Sequence, residues 1–316
     1  MIVGVSPAIQ RGLALAERYA RTSLPVLLVG ATGTGKELFA QHIHERSGRP
    51  GPLVDVNCCA LPHDMVESLL FGHRRGAFTG AVTQSTGHIE RSDGGTLFLD
   101  ELASLSPDAQ GKMLRVLETG EVQPLGASTK RRVALRVICA VQEDIWDSLE
   151  RRRFRRDLFQ RVAGLVIELP PLARRPEDIV PLADHFAKRQ GRSLEPGVEG
   201  LLLNYSWPGN VRELRMAIER AGELVEDGTL PPRAVAEAIA LGGPGASASS
   251  PEQVFSHLLS RDELLAVLDR TEWDVQRAAS ALQVGRTTLF KRLRALGISL
   301  RARPKFTSSP EFTELS

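Results

Sequence analysis

An eight-residue stretch, GATGTGKE, has the residue types and spacing of a loop that holds phosphate. Its glycines let the backbone turn N–H groups inward, and its lysine supplies a cation for phosphate oxygens. An apolar run precedes it and a predicted helix follows, whose N-terminus adds further N–H donors. The alternative is a plain glycine-rich turn. The motif predicts a nucleotide site formed by Gly30, Ala31, Thr32, Gly33, Thr34, Gly35, Lys36 and Glu37.

Two adjacent carboxylates, Asp100 and Glu101, end the apolar run TLFL. A carboxylate at the end of a buried strand can hold Mg²⁺ through water, and its neighbour can orient or deprotonate an attacking water. Alone, the pair is also compatible with a solvated acidic strand end. Beside the glycine loop, it predicts nucleotide hydrolysis, with Asp100 on Mg²⁺ through water and Glu101 acting on the water.

Residues 151–161, RRRFRRDLFQR, contain six arginines and one acidic residue. One interpretation is an arginine finger, a guanidinium that reaches the γ-phosphate at a neighbouring subunit and is worth about 10³–10⁵ in rate. The other is a solvated basic face or a nucleic-acid patch. In WPGNVREL, Arg212 stands in the first turn of a predicted helix, where the helix dipole does not favour a cation. Contact with bound phosphate would explain it; an ordinary surface arginine is the alternative.

The positions of the apolar runs predict the fold that must hold these residues. Runs at 24–29, 52–57, 94–101, 135–141 and 164–170 read as strands, with helices between them. The alternation predicts an α/β fold with a doubly wound parallel sheet and a site at the carboxyl edge. We expect an α/β nucleotide-binding subdomain at 1–170, a helical subdomain at 171–240, a flexible linker at 241–253, a DNA-binding domain at 254–300 and a disordered tail at 301–316.

Composition excludes several classes of protein. The chain of 316 residues is 42% hydrophobic and 25% charged, as in water-soluble multidomain proteins. No apolar run approaches the roughly 18 residues that a membrane-spanning helix needs. The three cysteines, Cys58, Cys59 and Cys139, form no disulfide framework, which fits a reducing cytoplasm. We expect a cytoplasmic protein.

The C-terminal part predicts a helix-turn-helix. Small residues at Ala278 and Ala279 allow two helices to cross closely, and the turn 283–285 contains a glycine. From Gln276 to Lys305 there are eight Lys or Arg and no Asp or Glu. A helical hairpin with a basic face is the alternative. As DNA-contacting residues we predict Arg286, Thr287, Thr288, Lys291, Arg292 and Arg294.

The sequence GAFTGA, preceded by LLFGHRR, adds a more specific signal. An aromatic residue among Gly, Ala and Thr suits a loop tip presented to a partner better than it suits a core. With this motif, the chain resembles the sigma-54-dependent transcriptional activators, or bacterial enhancer-binding proteins, over nearly its whole length. The residues that match the family's sigma-54-contacting loop are Gly76, Ala77, Phe78, Thr79, Gly80 and Ala81.

The resemblance implies an AAA+ ATPase with a helical lid and a Fis-type helix-turn-helix. It also implies a ring, usually a hexamer, that binds enhancer DNA and uses ATP and Mg²⁺ to convert the closed sigma-54 RNA polymerase holoenzyme complex into an open one. Asn57 matches the residue that restrains the catalytic glutamate in the family. Arg155 and Arg161 match the finger arginines, and Arg212 matches the sensor II arginine.

Some features depart from the family pattern. Ala31 replaces an acidic residue that is common in the loop, whereas Glu37 after the lysine is usual. Val141 and Gln142 stand where sensor I usually has Thr followed by Asn or His, and Gln142 is a candidate substitute. No sensory domain precedes the ATPase domain in this sequence, which predicts control by a separate protein acting in trans or by expression.

Two other functions stay open. One is a DNA-binding subunit with weak ATPase activity in a mixed ring with a more active paralogue, which the change at Val141 and Gln142 favours; ATP turnover by the isolated chain discriminates it. The other is a protein remodeller such as an unfoldase, against which the GAFTGA loop and the basic C-terminal part argue.

Overall fold

The computed structural model describes residues 2–142, 144–226, 228–242, 261–282 and 286–298. The described residues fall into two compact units. The first consists of Met1–Leu182 and Trp207–Arg215, and the second of Ala183–Ser206 and Met216–Ser316. The predicted tail at 301–316, most of the predicted linker at 241–253 and the turn 283–285 lie outside the described residues. The predicted domain boundaries stay a prediction.

The first unit contains a five-stranded, all-parallel sheet with the order β2-β3-β6-β1-β7. This confirms the predicted doubly wound parallel sheet. Apolar side chains cover both faces, as in buried parallel strands generally, and Leu97, Phe98 and Leu99 are at most 1% exposed. Its strands are β1 Val26–Val29, β2 Leu53–Asn57, β3 Thr96–Asp100, β6 Arg136–Val141 and β7 Leu165–Glu168, and a separate hairpin pairs β4 Glu121–Val122 with β5 Arg131–Arg132.

The helices before residue 170 connect these strands. Ser6 caps the first helix and Pro7 begins it, and Ser106 and Pro107 do the same for the fifth. The apolar pattern of residues 60–72 predicts a helix over the whole segment, but the helix is shorter in the structure, because Pro62 disfavours helix before it and Gly72 ends it with a φ of 84°. The helices are α1 Pro7–Ala20, α2 Lys36–Ser47, α3 Val66–Phe71, α4 His88–Arg91, α5 Pro107–Thr119, α6 Ile145–Glu150 and α7 Arg156–Val162.

Helices dominate the rest of the described chain, as the sequence predicts. This part also contains two short strands, β8 Ser193–Leu194 and β9 Thr229–Leu230, which pair in parallel. Two-residue strands are too short to show an alternating pattern. The remaining helices are α8 Ile179–Arg189, α9 Val198–Asn204, α10 Asn210–Glu223, α11 Pro232–Gly242, α12 Arg261–Arg270, α13 Val275–Ala281 and α14 Arg286–Ala295.

A buried ion pair joins the start of α1 to the glycine loop. Asp178 accepts hydrogen bonds from the N–H groups of Val5 and Ser6 at 2.5 and 2.7 Å, and from the Ser6 hydroxyl at 2.6 Å. Nη1 of Arg175 lies 3.7 Å from Oδ2 of Asp178, and Nη2 of Arg175 donates to the carbonyl oxygen of Thr34 at 2.9 Å. Burial lowers the pKa of Arg175, and the charge of Asp178 opposes that effect. Each charge therefore depends on the other.

Asp178→Ala should lower the free energy of unfolding by about 3–5 kcal/mol, because it leaves the Arg175 charge buried without its partner. Urea unfolding measures the change. The matched control is Glu177→Ala, which removes an exposed acid from the adjacent position and should change stability by less than about 0.5 kcal/mol. Equal effects of the two substitutions would contradict the assigned role of the ion pair.

Candidate functional site

The carbonyl groups of five consecutive residues in the glycine loop, 30–34, all accept hydrogen bonds from the chain itself. Because these acceptors are satisfied, the loop is held in one conformation by its surroundings. The donors are Lys36 Nζ to Gly30 and Ala31, the hydroxyl and N–H of Thr34 to Ala31, Asn210 Nδ2 to Thr32, the N–H groups of Val211 and Arg212 to Gly33, and Arg175 to Thr34.

Most N–H groups of the same loop, by contrast, have no hydrogen-bond partner in the described chain. Within the described chain, those of Ala31, Thr32, Gly33 and Gly35 have no hydrogen-bond acceptor. Helix α2 begins at Lys36 directly after them, so its N-terminus adds partial positive charge. Unpaired N–H groups beside a helix N-terminus form an anion site, and their spacing suits phosphate.

Lys36 lies in this loop with only 6% of its surface exposed. Its ammonium group donates to the Gly30 carbonyl at 2.8 Å and to the Ala31 carbonyl at 3.3 Å. Burial lowers the pKa of Lys36, while the charges of Glu101 and Asp100 raise it. The lysine is therefore a largely buried cation whose charge is favoured by the carboxylates at the end of β3, and it can neutralise phosphate oxygens.

Gly33 is the point where the loop meets the segment before α10. Its φ is 79°, and a Cβ built on it would lie 2.4 Å from the carbonyl oxygen of Gly209 and 3.2 Å from Cβ of Arg212. Only glycine permits both the left-handed backbone and this close approach. The predicted sensor II residue, Arg212, is thus brought to the glycine loop, and its charge acts on Lys36.

The two predicted catalytic carboxylates follow β3, at the same edge of the sheet as the glycine loop. Asp100 ends the strand, and its carboxylate accepts the N–H of Glu101 at 3.1 Å. Glu101 adopts a left-handed backbone with φ 54° and ψ 47°. Its carboxylate oxygens both accept from Nε2 of Gln142 at 3.1 Å. Asn57 instead accepts the N–H groups of Cys59 and Ala60, at 3.0 and 3.2 Å.

The acidic residues near the loop fit a hydrated Mg²⁺. Burial raises the pKa of Asp55, and the charges of Glu37 and Asp100 raise it further. Within the described chain no three or more His, Cys, Asp or Glu side chains form a direct metal cage. Mg²⁺ usually keeps several waters and binds one or two carboxylates together with phosphate oxygens. Asp100, through water, is therefore chemically suitable to hold it.

The predicted finger arginines lie on or next to α7, and the structure does not bring them to the glycine loop of their own chain. The Arg155 guanidinium pairs with Asp157 at 3.1 and 2.7 Å, and this hydrogen bond raises the pKa of the exposed Arg155. Arg161 donates to the Leu117 carbonyl on α5 at 3.3 and 2.9 Å. Their contacts are compatible with a role at another subunit.

The GAFTGA segment forms a narrow loop held at its base. The N–H of Gly76 donates to the carbonyl oxygen of Ala81 at 2.9 Å, and both Gly76 and Gly80 have a positive φ. Phe78 is 43% exposed and Thr79 is exposed, so the tip presents an aromatic ring and a hydroxyl outward. The Phe78 ring meets the His73 ring edge-on with centroids 5.1 Å apart.

Comparison with protein families assigns all three parts of the chain. The model described as Sigma-54 interaction domain matches residues 2–168, which is more than half of the chain. The AAA+ ATPase lid domain matches 173–251, and the model described as Bacterial regulatory protein, Fis family, matches 258–301. The chain belongs to the sigma-54-dependent transcriptional activators. The activator therefore carries the AAA+ fold with a helix-turn-helix DNA-binding domain.

Individual relatives of the activator agree with this assignment. It is 39% identical to the Nif-specific regulatory protein of Azotobacter vinelandii, over 95% of this chain and 60% of that protein. It is also 39% identical to the transcriptional regulatory protein ZraR of Klebsiella oxytoca, over 92% of this chain and 68% of that protein. The chain thus spans about three fifths of the length of the Azotobacter protein.

A solved structure shares the fold of the activator. The crystal structure of NtrX from Brucella abortus in complex with ATP superposes with a TM-score of 0.71 at 29% identity, over 94% of this chain and 70% of that chain. No helix in the described part of the activator is long and apolar enough to cross a bilayer.

The C-terminal helices of the activator form the predicted pair. Asp274 caps α13, where Ala278 and Ala279 are buried, and Leu289 and Leu293 of α14 are buried too. Arg286 and Arg294 of α14 are exposed. The other four predicted DNA contacts also lie on α14, but their side chains are outside the described residues: Thr287, Thr288, Lys291 and Arg292.

Sequence reasoning missed two residues that hold the nucleotide loop of the activator. Asn210 donates to Thr32 at 3.0 Å and accepts the N–H of Leu172 at 2.7 Å. The available signal was an asparagine directly after a glycine and before a predicted helix, because asparagine is among the few residues that tolerate a left-handed backbone, and the φ of Asn210 is indeed 54°. Arg175 gave no signal, because it stands in a run of charged residues that reads as surface.

Gly33→Ala should destabilise the activator more than the matched substitution Gly48→Ala. Both glycines have positive φ, so both variants carry a backbone strain of about 1–2 kcal/mol. A Cβ at Gly48 meets nothing within 4 Å, whereas one at Gly33 collides with the carbonyl of Gly209. Denaturant unfolding of the two variants measures the difference. Equal stabilities would show that the approach of Gly209 to the loop is not a constraint.

Proposed function

We propose that the chain is an ATP-hydrolysing activator that binds enhancer DNA and converts the closed sigma-54 RNA polymerase complex into an open one. The observation that carries the proposal is the glycine loop, with its carbonyls satisfied by the chain and its N–H groups aimed at an anion, beside the Glu101 carboxylate. The ATP complex of the Brucella NtrX supports ATP as the nucleotide.

In this proposal the loop N–H groups and Lys36 bind the phosphates, and Arg212 contacts them from the start of α10. Asp100 would hold Mg²⁺ through water, and the ion would supply charge neutralisation on the phosphate oxygens. Glu101 orients and deprotonates the attacking water. Arg155 and Arg161 come from the neighbouring subunit of a ring, most often a hexamer in this family.

Phe78 and Thr79 contact sigma-54 from the tip of their loop. Hydrolysis can do work on a partner only if that partner binds the nucleotide states of the activator with different affinity. The exposed tip and its clamped base support such a role, because the base ties the loop to the chain on two sides. On one side, the backbones of His73 and Ser85 exchange two hydrogen bonds. On the other, the N–H of Leu125 donates to the carbonyl of Gly72, and the carbonyl of Leu125 accepts the N–H of Arg74.

The helix-turn-helix holds the activator at its enhancer. Its sequence carries eight basic and no acidic residues from Gln276 to Lys305, which predicts binding that weakens strongly with salt. Arg286 and Arg294 expose their guanidinium groups on α14, where they can reach phosphates or base edges. Control by a separate protein in trans stays a prediction.

A subunit with weak activity in a mixed ring is the second candidate, and the change at Val141 and Gln142 is the observation that favours it. The isolated chain would then turn over ATP slowly and gain activity when a paralogue is added. The contact of Gln142 with Glu101 argues for an active subunit, since it holds the catalytic carboxylate at the edge of the sheet that carries the loop.

Thr79→Ala should leave ATP turnover within about twofold of the unchanged chain and abolish transcription from a sigma-54 promoter. The substitution removes part of the contact surface at the tip without touching the catalytic groups. ATP turnover, sigma-54 capture with a transition-state analogue and transcript yield are measured on one preparation. Thr83→Ala, an exposed threonine outside the motif, is the control and should behave as the unchanged chain. Normal transcription by the Thr79→Ala variant would contradict the coupling role.

Arg161→Ala should lose ATP turnover at least 10³-fold as an assembled homogeneous ring, if it acts as a finger. Mixing it with Lys36→Ala subunits should restore part of the activity. The Lys36→Ala subunit lacks a working nucleotide site but still offers its arginine to a neighbour. Turnover is measured across mixing ratios, with co-assembly checked by mass. Demonstrated co-assembly without any recovery would rule out action between subunits.

A further inference from the structure

Gln142 and Glu101 meet because their strands are parallel neighbours. β3 and β6 pair with Leu99 opposite Cys139, so the residues that follow both strands emerge at the same edge of the sheet. Nε2 of Gln142 donates to Oε1 and Oε2 of Glu101, at 3.1 Å to each. The amide nitrogen of Gln142 is thus equidistant from the two carboxylate oxygens of Glu101. This geometry fixes the direction of the carboxylate as well as its distance.

Among the described residues, the Glu101 side chain accepts hydrogen bonds only from Gln142. Its left-handed backbone is unfavourable for a residue other than glycine, and such strain persists where the surroundings fix it. Among the charges that raise the pKa of Lys36, that of Glu101 is first, ahead of Asp100. The charge of the carboxylate held by Gln142 therefore acts on the lysine of the nucleotide loop.

Asn57, which the family resemblance assigns to restraining Glu101, is engaged elsewhere in this structure. Its side-chain oxygen closes the turn after β2 by accepting the N–H groups of Cys59 and Ala60. The hydrogen bond to Glu101 comes instead from the end of β6, which neighbours β3 on the side opposite β2, at the position where the chain departs from the sensor I pattern.

We propose that Gln142 is the positioning residue of the Glu101 carboxylate, a role that rests on the proposed ATP hydrolysis. Gln142 acts through Glu101 and makes no contact with the phosphates. The amide holds the carboxylate toward the nucleotide loop, where it orients the attacking water. Without the amide the flexible side chain samples other directions, and misplacement of about 1 Å is enough to slow an enzyme by roughly 10².

Gln142→Leu should lower kcat for ATP about 10- to 100-fold and leave KM within about twofold. Gln142→Glu keeps the size of the side chain but replaces the donor by an acceptor, and it should lower kcat at least as much. The matched control is Gln41→Leu, which removes the same kind of amide–carboxylate bond, to Glu45 at 2.9 Å on the exposed face of α2. It should leave kcat unchanged.

A double-mutant cycle with Glu101→Gln separates positioning from direct contact with phosphate. In the Glu101→Gln background, Gln142→Leu should reduce single-turnover hydrolysis by less than about twofold, because the group that it positions is already lost. Circular dichroism and ring mass, measured for every variant, should match the unchanged chain.

Three results would overturn the proposal. They are a normal kcat for Gln142→Leu, a change confined to KM, and losses that add fully in the double variant, which would place Gln142 on the nucleotide itself. The proposed ATPase function fails separately: an unchanged chain that hydrolyses no ATP would refute that function before any variant is compared.

Discussion

The hydrogen bonding of the glycine loop is the constraint on which the rest of the structure depends. The five loop residues 30–34 carry five carbonyl groups that need hydrogen-bond donors, and each carbonyl accepts a hydrogen bond from within the chain. The donors come from Lys36 and Thr34 of the loop itself, from Arg175 and from the segment that starts α10. Because the carbonyl groups of the loop are hydrogen-bonded to the chain on one side, its N–H groups point to the other side, where they can bind an anion.

This constraint connects parts of the sequence that are far apart. Arg175 can donate to Thr34 only because Asp178 compensates its charge, and Asp178 in turn fixes the start of α1. Asn210 ties Thr32 to Leu172, and Gly33 makes room for Gly209. The parallel sheet completes the site, since its neighbouring strands bring Glu101 and Gln142 together at the same edge.

Much of this arrangement could be predicted from the sequence, because its signals are local. Apolar runs predict the five strands of the sheet, and the spacing from Gly30 to Lys36 predicts the loop. The partners of the loop could not be predicted, since they depend on tertiary contacts. Arg175 stands in a run of charged residues, and nothing local indicates that Asp178 will be buried beside it. The sequence indicated Gln142 only as a candidate substitute at sensor I, and it gave no sign that strand pairing places the Gln142 amide on the Glu101 carboxylate.

Promoter melting by the purified chain tests the central claim most directly, namely that phosphate chemistry at this loop drives sigma-54 remodelling. The reaction contains sigma-54 RNA polymerase, promoter DNA with its enhancer, and either ATP or a non-hydrolysable analogue; permanganate reactivity of thymines reports the open complex. The account predicts melting with ATP and none with the analogue. Melting that needs no hydrolysable nucleotide, or rapid ATP turnover on the promoter with no melting, would contradict it.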